Sequence, residues 1–429
     1  MTGALGRRLR RGVDVREAET AALAWSCAYF FFVLSAYYVI RPVRDEMGVA
    51  GGVENLAWLF TGTLVGMLAV HPLFTALVAR LPRRRFVPLV YRFFILNLVV
   101  FFLLLRAADP AQHIWIGRVF FVWTSVFNLF VVSVFWSLMT DLYRPAQSQR
   151  LFGLVAVGGT AGAILGSSIT AGLVSVLGPT NLLLVSALLL EIAAWAARAV
   201  DRQEGRLAGA ARETGEDPGR PVDDVIGGGL LDGIRDVLRS PYLIAISGLV
   251  LLFTITSTFL YFEQAAIVRA LDRAARTRLF ANMDLAVNVL TLVTQVFLTG
   301  RLLRWVGLGV GLAVVPLLTG AGFAVLGAAP VVSVLVVFSI LRRAANFAVQ
   351  RPAREVLYTV LPRTEKYKAK NFSDTFVYRL GDQLGAWSYT ALAWTGLGIA
   401  ALGWMMVPVS TVWLVLALWL GRRYVRRHS

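Results

Sequence analysis

Apolar runs of about 20 residues recur along almost the whole chain, the length an α-helix needs to cross the hydrocarbon core of a bilayer. Hydrophobic residues make up 57% of the 429 positions and charged residues 16%, so the runs are separated only by short polar stretches. The chain reads as an all-α polytopic membrane protein. Twelve spans meet the length criterion, near residues 20 to 41, 56 to 79, 86 to 106, 113 to 139, 151 to 175, 181 to 199, 242 to 266, 281 to 300, 306 to 327, 331 to 350, 374 to 395 and 401 to 421. The formal charge of +17 does not call for nucleic acid, because the arginines cluster in loops between spans, as the positive-inside rule places them. Arg80 to Arg85, Tyr143 to Arg150, the 200 to 241 segment, Arg301 to Arg304, Arg363 to Lys370 and Arg422 to Arg427 all fall on the side of the basic N-terminus. That side is expected to be the cytoplasm, with both termini in it.

The longest hydrophilic stretch divides the chain into an N-terminal six-helix half (1–200), a cytoplasmic linker (201–241) and a C-terminal six-helix half (242–429). Within the linker, Leu230 to Leu238 has helical apolar spacing suited to the membrane surface, and Gly227 to Gly229 lacks the Gly-Lys-Ser/Thr of a phosphate loop. ATP hydrolysis is therefore not expected, nor any enzymatic activity. Cys27 is the single cysteine, which excludes a disulfide framework and a cysteine metal site. No metal or cofactor is implied, nor a protein partner. No cleavable leader is expected, since no small-residue cleavage site follows a short apolar core.

A shift of about 220 residues relates the halves: Arg150 falls near Lys370, and Gly158 to Gly166 near Arg379 to Gly385. Parallel six-span repeats about a cytoplasmic linker are the layout of the major facilitator fold, whose substrate site lies at the midplane. The glycines Gly158, Gly159, Gly162 and Gly166 would allow the close helix packing of such bundles.

Charges inside spans are costly, so they mark candidate functional positions. Arg41 and Arg44 end span 1, and Glu263 ends the run Thr258-Phe-Leu-Tyr-Phe-Glu263 at an offset of 219 from Arg44 (263 minus 44). Opposite charges thus stand at equivalent places, readable either as an interdomain ion pair or as substrate contacts. Arg118, Arg342 and Arg343 are candidate phosphate clamps, because a guanidinium pairs bidentately with phosphate oxygens. Glu191, Asp374, Arg379 and Asp382 complete the set, with snorkelling to an interface an equal reading for Glu191 and Arg118. His71 and His113, near apparent helix ends, read as structural.

The chain has only three lysines, Lys366, Lys368 and Lys370, against 39 arginines (42 minus 3). An ammonium is a compact charge with freely rotating donors on a flexible stem, suited to following a mobile anion, whereas guanidinium is a rigid fork. The bland alternative is a basic loop in which lysine fell by accident.

At these residues the sequence resembles the ATP/ADP translocase family, nucleotide transporters of plastids and intracellular bacteria within the major facilitator fold. Arg41-Pro-Val-Arg-Asp45 resembles the family's R-D-T-K-D, with Arg44 at the place of its functional lysine. Phe135-Trp-Ser-Leu-Met-Thr-Asp141 and Gln149-Arg-Leu-Phe-Gly153 resemble its F-W-x-x-x-N and K-R-F-Y-x-L-F-G block, although Thr140 holds the asparagine position. Glu263 matches a functional glutamate, Thr291 to Gln295 also fits, and Leu361 to Asp374 followed by Arg379-Leu-Gly381 matches K-x-K-x-K, aspartate and R-L-G. The family's span-4 glutamate has no counterpart; its aligned position is near Thr124.

The resemblance implies exchange of an anionic, phosphorylated solute of the ATP/ADP type by alternating access, in a bacterial cytoplasmic membrane. Arg44, Lys370, Arg118, Arg342, Arg343 and Glu263 are the expected substrate-binding residues, and Arg41, Arg150, Lys366, Lys368, Asp374 and Arg379 a secondary set. Two alternatives stay open: a proton-coupled exporter of an organic anion or drug, needing a titrating carboxylate such as Glu263 or Asp374, and a membrane scaffold or lipid-handling protein.

Overall fold

A computed structural model describes residues 15–80, 83–143, 145–204, 237–362, 369–370 and 372–428. In lipid every backbone donor and acceptor has to be satisfied within the segment, and the described chain answers with helix after helix. They are α1 (Thr20–Ala50), α2 (Leu56–Arg80), α3 (Arg83–Ala107), α4 (Pro110–Leu142), α5 (Pro145–Leu177), α6 (Leu182–Asp201), α7 (Pro241–Ile267), α8 (Arg273–Thr294), α9 (Gly300–Ala328), α10 (Val332–Ala345), α11 (Tyr378–Trp394) and α12 (Ile399–His428). Eleven candidate spans are long and apolar enough to cross a membrane. α11 is the twelfth: its 17 residues follow directly on a π-helical turn, Phe372–Val377, so the expected span near 374 to 395 is present in two backbone geometries. α10 likewise runs through a π-helical turn, Asn346–Gln350, into a last helical segment, Arg351–Leu357. Lys366, Lys368 and the linker stretch 205–236, with most of its expected amphipathic helix, lie outside the described residues.

Helix ends follow local chemistry. Asp109 caps α4, accepting from Gln112 N at 2.8 Å while the Gln112 side chain accepts from Asp109 N, and Pro110 occupies the first turn where no donor is needed. Ser240 and Pro241 repeat the arrangement at α7. Large apolar side chains stay outside the packing, among them Trp115, Val176 and Trp305, a surface suited to acyl chains rather than water.

The repeat is written into the backbone. Gly178 (φ 77°) and Gly396 (φ 86°) sit just beyond α5 and α11, 218 residues apart (396 minus 178), in the left-handed conformation that favours glycine at a helix stop. On α5, a Cβ on Gly162 or Gly166 would collide with the carbonyl oxygens of Phe31 and Ser35 in α1. On α11, a Cβ on Gly381 or Gly385 would meet Thr254 and Thr258 of α7, each at 2.8 Å. The offsets are 219 in both cases (381 minus 162, 385 minus 166), so Gly162 and Gly166, read from sequence as a packing face, have counterparts in Gly381 and Gly385 and form two equivalent helix seams. Hydroxyls reinforce the first seam: Ser35 Oγ donates to Gly162 O at 3.0 Å and Thr170 Oγ1 to Val39 O at 2.9 Å.

The chain forms two compact units. The first comprises Met1–Met47, Val65–Val222 and Arg273–Leu285; the second comprises Gly48–Leu64, Asp223–Asp272 and Ala286–Ser429. Each is built on one sequence half, with the opening turns of α2 assigned to the second unit and those of α8 to the first.

Candidate functional site

In the first unit the end of α1 carries Arg41, Arg44, Asp45 and Glu46 within two turns, and each finds an opposite charge. Arg41 Nη1 lies 3.3 Å from Asp284 Oδ1 on α8, and its guanidinium stands over the Tyr38 ring. Arg44 Nη1 lies 3.3 Å from Asp45 Oδ1 and over the Phe121 ring of α4 at 4.0 Å. Glu46, fully buried, is held by Arg276 Nη2 at 2.9 Å and by Arg273 at 3.3 Å. Sequence reasoning missed Glu46, Arg273, Arg276 and Asp284. It began span 8 near 281, which left these arginines in a loop, whereas α8 starts at Arg273 and sets Arg273 and Arg276 on one face.

At the opposite end of α1, Glu19 is buried and accepts from Arg150 Nη2 at 2.9 Å, Arg150 Nη1 at 3.3 Å, Gln147 Nε2 at 3.1 Å and Arg16 N at 3.2 Å. Burial alone would raise this carboxyl, but the Arg150 hydrogen bonds and charge, with the Arg16 N–H, hold it below the usual carboxylate range. Arg150 is thereby fixed as a clasp between the start of α5 and the start of α1. Arg118, on α4, stands over the Trp115 ring at 4.5 Å.

The second unit treats charge differently. Arg342, on α10, is 2% exposed, and its donors go to neutral oxygens: Nε to Thr319 Oγ1 at 3.0 Å, Nη1 to Ser257 Oγ at 2.9 Å, Nη2 to Thr256 Oγ1 at 2.8 Å and to Phe253 O at 3.2 Å. The Phe253 ring packs beneath it at 5.0 Å. Among the described residues no carboxylate pairs with it. Three hydroxyls and one carbonyl fix the fork while leaving its positive charge uncompensated. Thr256, Ser257 and Thr319 could not be singled out from sequence, since hydroxyls in apolar helices commonly bond their own backbone.

Glu263 is the converse. It is fully buried on α7, and among the described residues neither carboxyl oxygen has a hydrogen-bond partner. A Cβ on Gly403 of α12 would lie 3.5 Å from its Oε1, an ordinary contact distance, so α12 packs beside the carboxylate. Arg44, its counterpart by repeat, is turned toward Asp45 and Phe121 within the first unit. Arg342 bonds residues 253, 256 and 257 of α7, and six residues of helix rise, about 9 Å, separate Ser257 from Glu263.

Lys370 Nζ lies 2.6 Å from Glu355 Oε2, and Arg354 Nη2 lies 3.0 Å from Asp374 Oδ1. These two pairs clasp the last segment of α10 to the start of α11 at a half-exposed position. Arg379 pairs with Asp382 at 3.2 Å, and Asp382 also accepts from Thr258 Oγ1 at 3.5 Å. Arg343 is half-buried beside Arg342. The π turns of α8 and α10 are joined, with Thr299 Oγ1 donating to Ala348 O at 2.7 Å and Gln295 Nε2 to Phe347 O at 3.2 Å. The geometry therefore brings together Arg342 with its hydroxyls, and Lys370 with Asp374 through α10, while Arg41, Arg44, Arg118 and Arg150 belong to the first unit.

No curated protein sequence matches the chain. Among solved structures, it is similar to the crystal structure of the POT family transporter PepTSo at 12% identity, with TM-score 0.62, covering 94% of this chain and 98% of that one. It is also similar to the crystal structure of a variant of the nucleoside transporter NupG at 12% identity, with TM-score 0.53, covering 96% of this chain and 100% of that one. At such identity the likeness speaks to the fold. The sequence profile of the Major Facilitator Superfamily matches residues 20–350. With that match over most of its length, the chain belongs to the major facilitator superfamily and is a secondary transporter, not an enzyme.

Proposed function

We propose that this transporter carries an anionic, phosphate-bearing solute, exchanging one nucleotide-type anion for another by alternating access. The observation that supports this best is Arg342: a guanidinium buried in an apolar span, held by three hydroxyls and a carbonyl, with no carboxylate to neutralise it. A buried cation without a carboxylate is costly, so its charge attracts an anion, and a phosphate that reached the fork would take over donors now given to the hydroxyls of Thr256, Ser257 and Thr319. Within the same unit Arg343 adds positive charge beside Arg342, and Lys370 stands in an ion pair with Glu355 for which an anion would compete. Arg44 and Arg118 are proposed as contacts of the first unit, and the resemblance to the ATP/ADP translocases names the nucleotide. The bacterial cytoplasmic membrane, with both termini inside, is the setting proposed from the arginine-rich loops.

Purified protein in vesicles loaded with ATP, ADP or inorganic phosphate is expected to take up labelled nucleotide only when a counter-anion is inside. Arg342→Gln should keep the helices folded yet lower uptake at least tenfold. Uptake unaffected by that change, or absent for every phosphorylated solute, would overturn the reading.

A second reading has an observation of its own. Glu263, buried without a partner, is what a proton-coupled exporter of an organic anion requires. Glu263→Gln would then abolish transport driven by a pH gradient and leave counter-exchange intact, whereas an exchanger would show no pH-gradient dependence in the first place.

A further inference from the structure

The first unit contains a cavity of about 300 Å³ between the start of α3 and the ends of α4 and α6, lined by Val87, Pro88, Leu138, Ala197, Arg198, Asp201 and Arg202. It lies apart from every residue assigned to transport. Its walls fall into two parts. Val87, Pro88, Leu138 and Ala197 give an apolar floor, and Arg198 near the end of α6, with Asp201 and Arg202 at and just past that end, gives a charged rim of two guanidinium groups and one carboxylate. Among the described residues no ion pair or side-chain hydrogen bond is found for either arginine, while Asp201, which also lines the cavity, has a partner of its own.

The candidate spans place the cavity toward one end of their helices. Val87 and Pro88 are the second and third residues of the span Phe86–Ala107, Leu138 is four from the end of Pro110–Leu142, and Asp201 ends Leu182–Asp201. Three spans thus bring the same level, that of the polar headgroups on the side of the chain termini, to one spot. Trp195, one turn deeper on α6 and 65% exposed, donates its Nε1 to Glu191 Oε1 at 2.8 Å, the placement of an interfacial tryptophan. Arg92 closes on the same carboxylate at 3.4 Å, so the charges just below the cavity are matched and do not neutralise Arg198 or Arg202.

We infer that this cavity is a binding site for the headgroup of an anionic phospholipid from the leaflet on the side of the termini. The phosphodiester would lie between the Arg198 and Arg202 guanidinium groups, whose planar forks match phosphate oxygens, with the glyceryl and acyl portions against Val87, Pro88, Leu138 and Ala197. A bilayer lipid suits the site better than a free anion because the floor is apolar and at membrane depth. It also suits it better than a protein segment because the unmatched charges number two and stand one turn apart, the reach of a single phosphate. This site is independent of the solute that the transporter carries.

The test compares full-length protein in nanodiscs of phosphatidylcholine alone with nanodiscs containing a fifth phosphatidylglycerol, reading the thermal midpoint of unfolding, and counts retained lipids by native mass spectrometry. The wild type is expected to melt several degrees higher with phosphatidylglycerol and to keep one more anionic lipid than Arg198→Gln/Arg202→Gln, in which the shift disappears. A third arm adds millimolar inorganic phosphate to the phosphatidylcholine discs and should produce no shift. Equal shifts in wild type and double variant would overturn the site, as would full stabilisation by phosphate alone. Should the double variant fold poorly, Arg198→Lys/Arg202→Lys keeps the charge but not the fork and should retain only part of the shift; a full shift there would show a diffuse surface attraction instead of a site.

Discussion

In the first compact unit Glu19, Glu46 and Asp284 are buried and each faces an arginine, whereas in the second Glu263 and Arg342 are as deeply buried and, among the described residues, pair with no charge of opposite sign. The first arrangement is that of a lock. Arg41, Asp284, Glu46 and Arg276 tie the end of α1 to the opening turns of α8, and Arg150 and Glu19 tie the starts of α5 and α1. The second holds one lone cation on neutral oxygens and one lone acid on none. Repeat-related helices have thus kept their seams and diverged in their buried charges, and the proposed ion chemistry belongs with Arg342 and Glu263, which the second unit holds beside its pairs Lys370–Glu355, Arg354–Asp374 and Arg379–Asp382.

The largest effect that could break this contrast lies at Glu46. Glu46→Ala would take from Arg276, 8% exposed, and from Arg273 the buried carboxylate they share, and losing one member of a buried pair costs roughly 3 to 5 kcal/mol. Glu263→Gln removes no pair and should shift unfolding far less. Denaturation in mild detergent, followed by intrinsic tryptophan fluorescence, measures both. If Glu263→Gln proves as damaging as Glu46→Ala, the two units do not differ as described.

The seams test what the units share. Gly162→Ala would push a methyl onto the Phe31 carbonyl, and Gly385→Ala would place one 2.8 Å from Thr258 Cβ, so each should cost about 1 to 3 kcal/mol through overpacking. Gly153→Ala has open space and should be neutral. Tolerance at 385 but not at 162 would mean that the second seam is looser than the first.

A smaller effect appears on acidification. Glu19 is held below its ordinary value of 4.5, so its pairing with Arg150 stabilises the fold at higher pH and is lost as pH falls through the lowered value. The melting advantage of the wild type over Glu19→Gln should be full near pH 7 and shrink below pH 4.5. An advantage that grows on acidification would contradict the assigned sign.

The architecture was legible because membrane spans are long, unbroken and nearly free of charge. The repeat was legible because glycines recur where helix backbones touch, at Gly162 and Gly381 and at Gly166 and Gly385. Helix ends were not. Reading α8 from its apolar stretch hid Arg273 and Arg276, both of which reach Glu46, Arg276 as a buried side chain and Arg273 from a partly exposed one. The environment of Arg342 was also hidden, since nothing in the order of residues says that Thr256, Ser257 and Thr319 converge on one side chain. Of the lysine block, sequence showed its isolation but not its neighbour Glu355, fifteen residues upstream across a helix connection.

That neighbour makes the smallest predicted effect the one that decides where Lys370 belongs. The pair with Glu355 is half-exposed, so Lys370→Gln should change stability by less than about 1 kcal/mol. Its transport phenotype separates two roles. If Lys370 serves only as a clasp between α10 and α11, Lys370→Gln and Glu355→Gln lower uptake alike, and Lys370→Arg, which keeps the ion pair, restores it. If the ammonium also meets the substrate, Lys370→Gln falls well below Glu355→Gln, and Lys370→Arg restores only part because the rigid fork cannot follow the anion as the ammonium does. The first pattern would place Lys370 among locks like Arg150, its repeat counterpart. The second would place it with Arg342, among the charges kept for a moving ion, and it is the outcome expected of the nucleotide reading, with initial uptake rates in vesicles as the measurement.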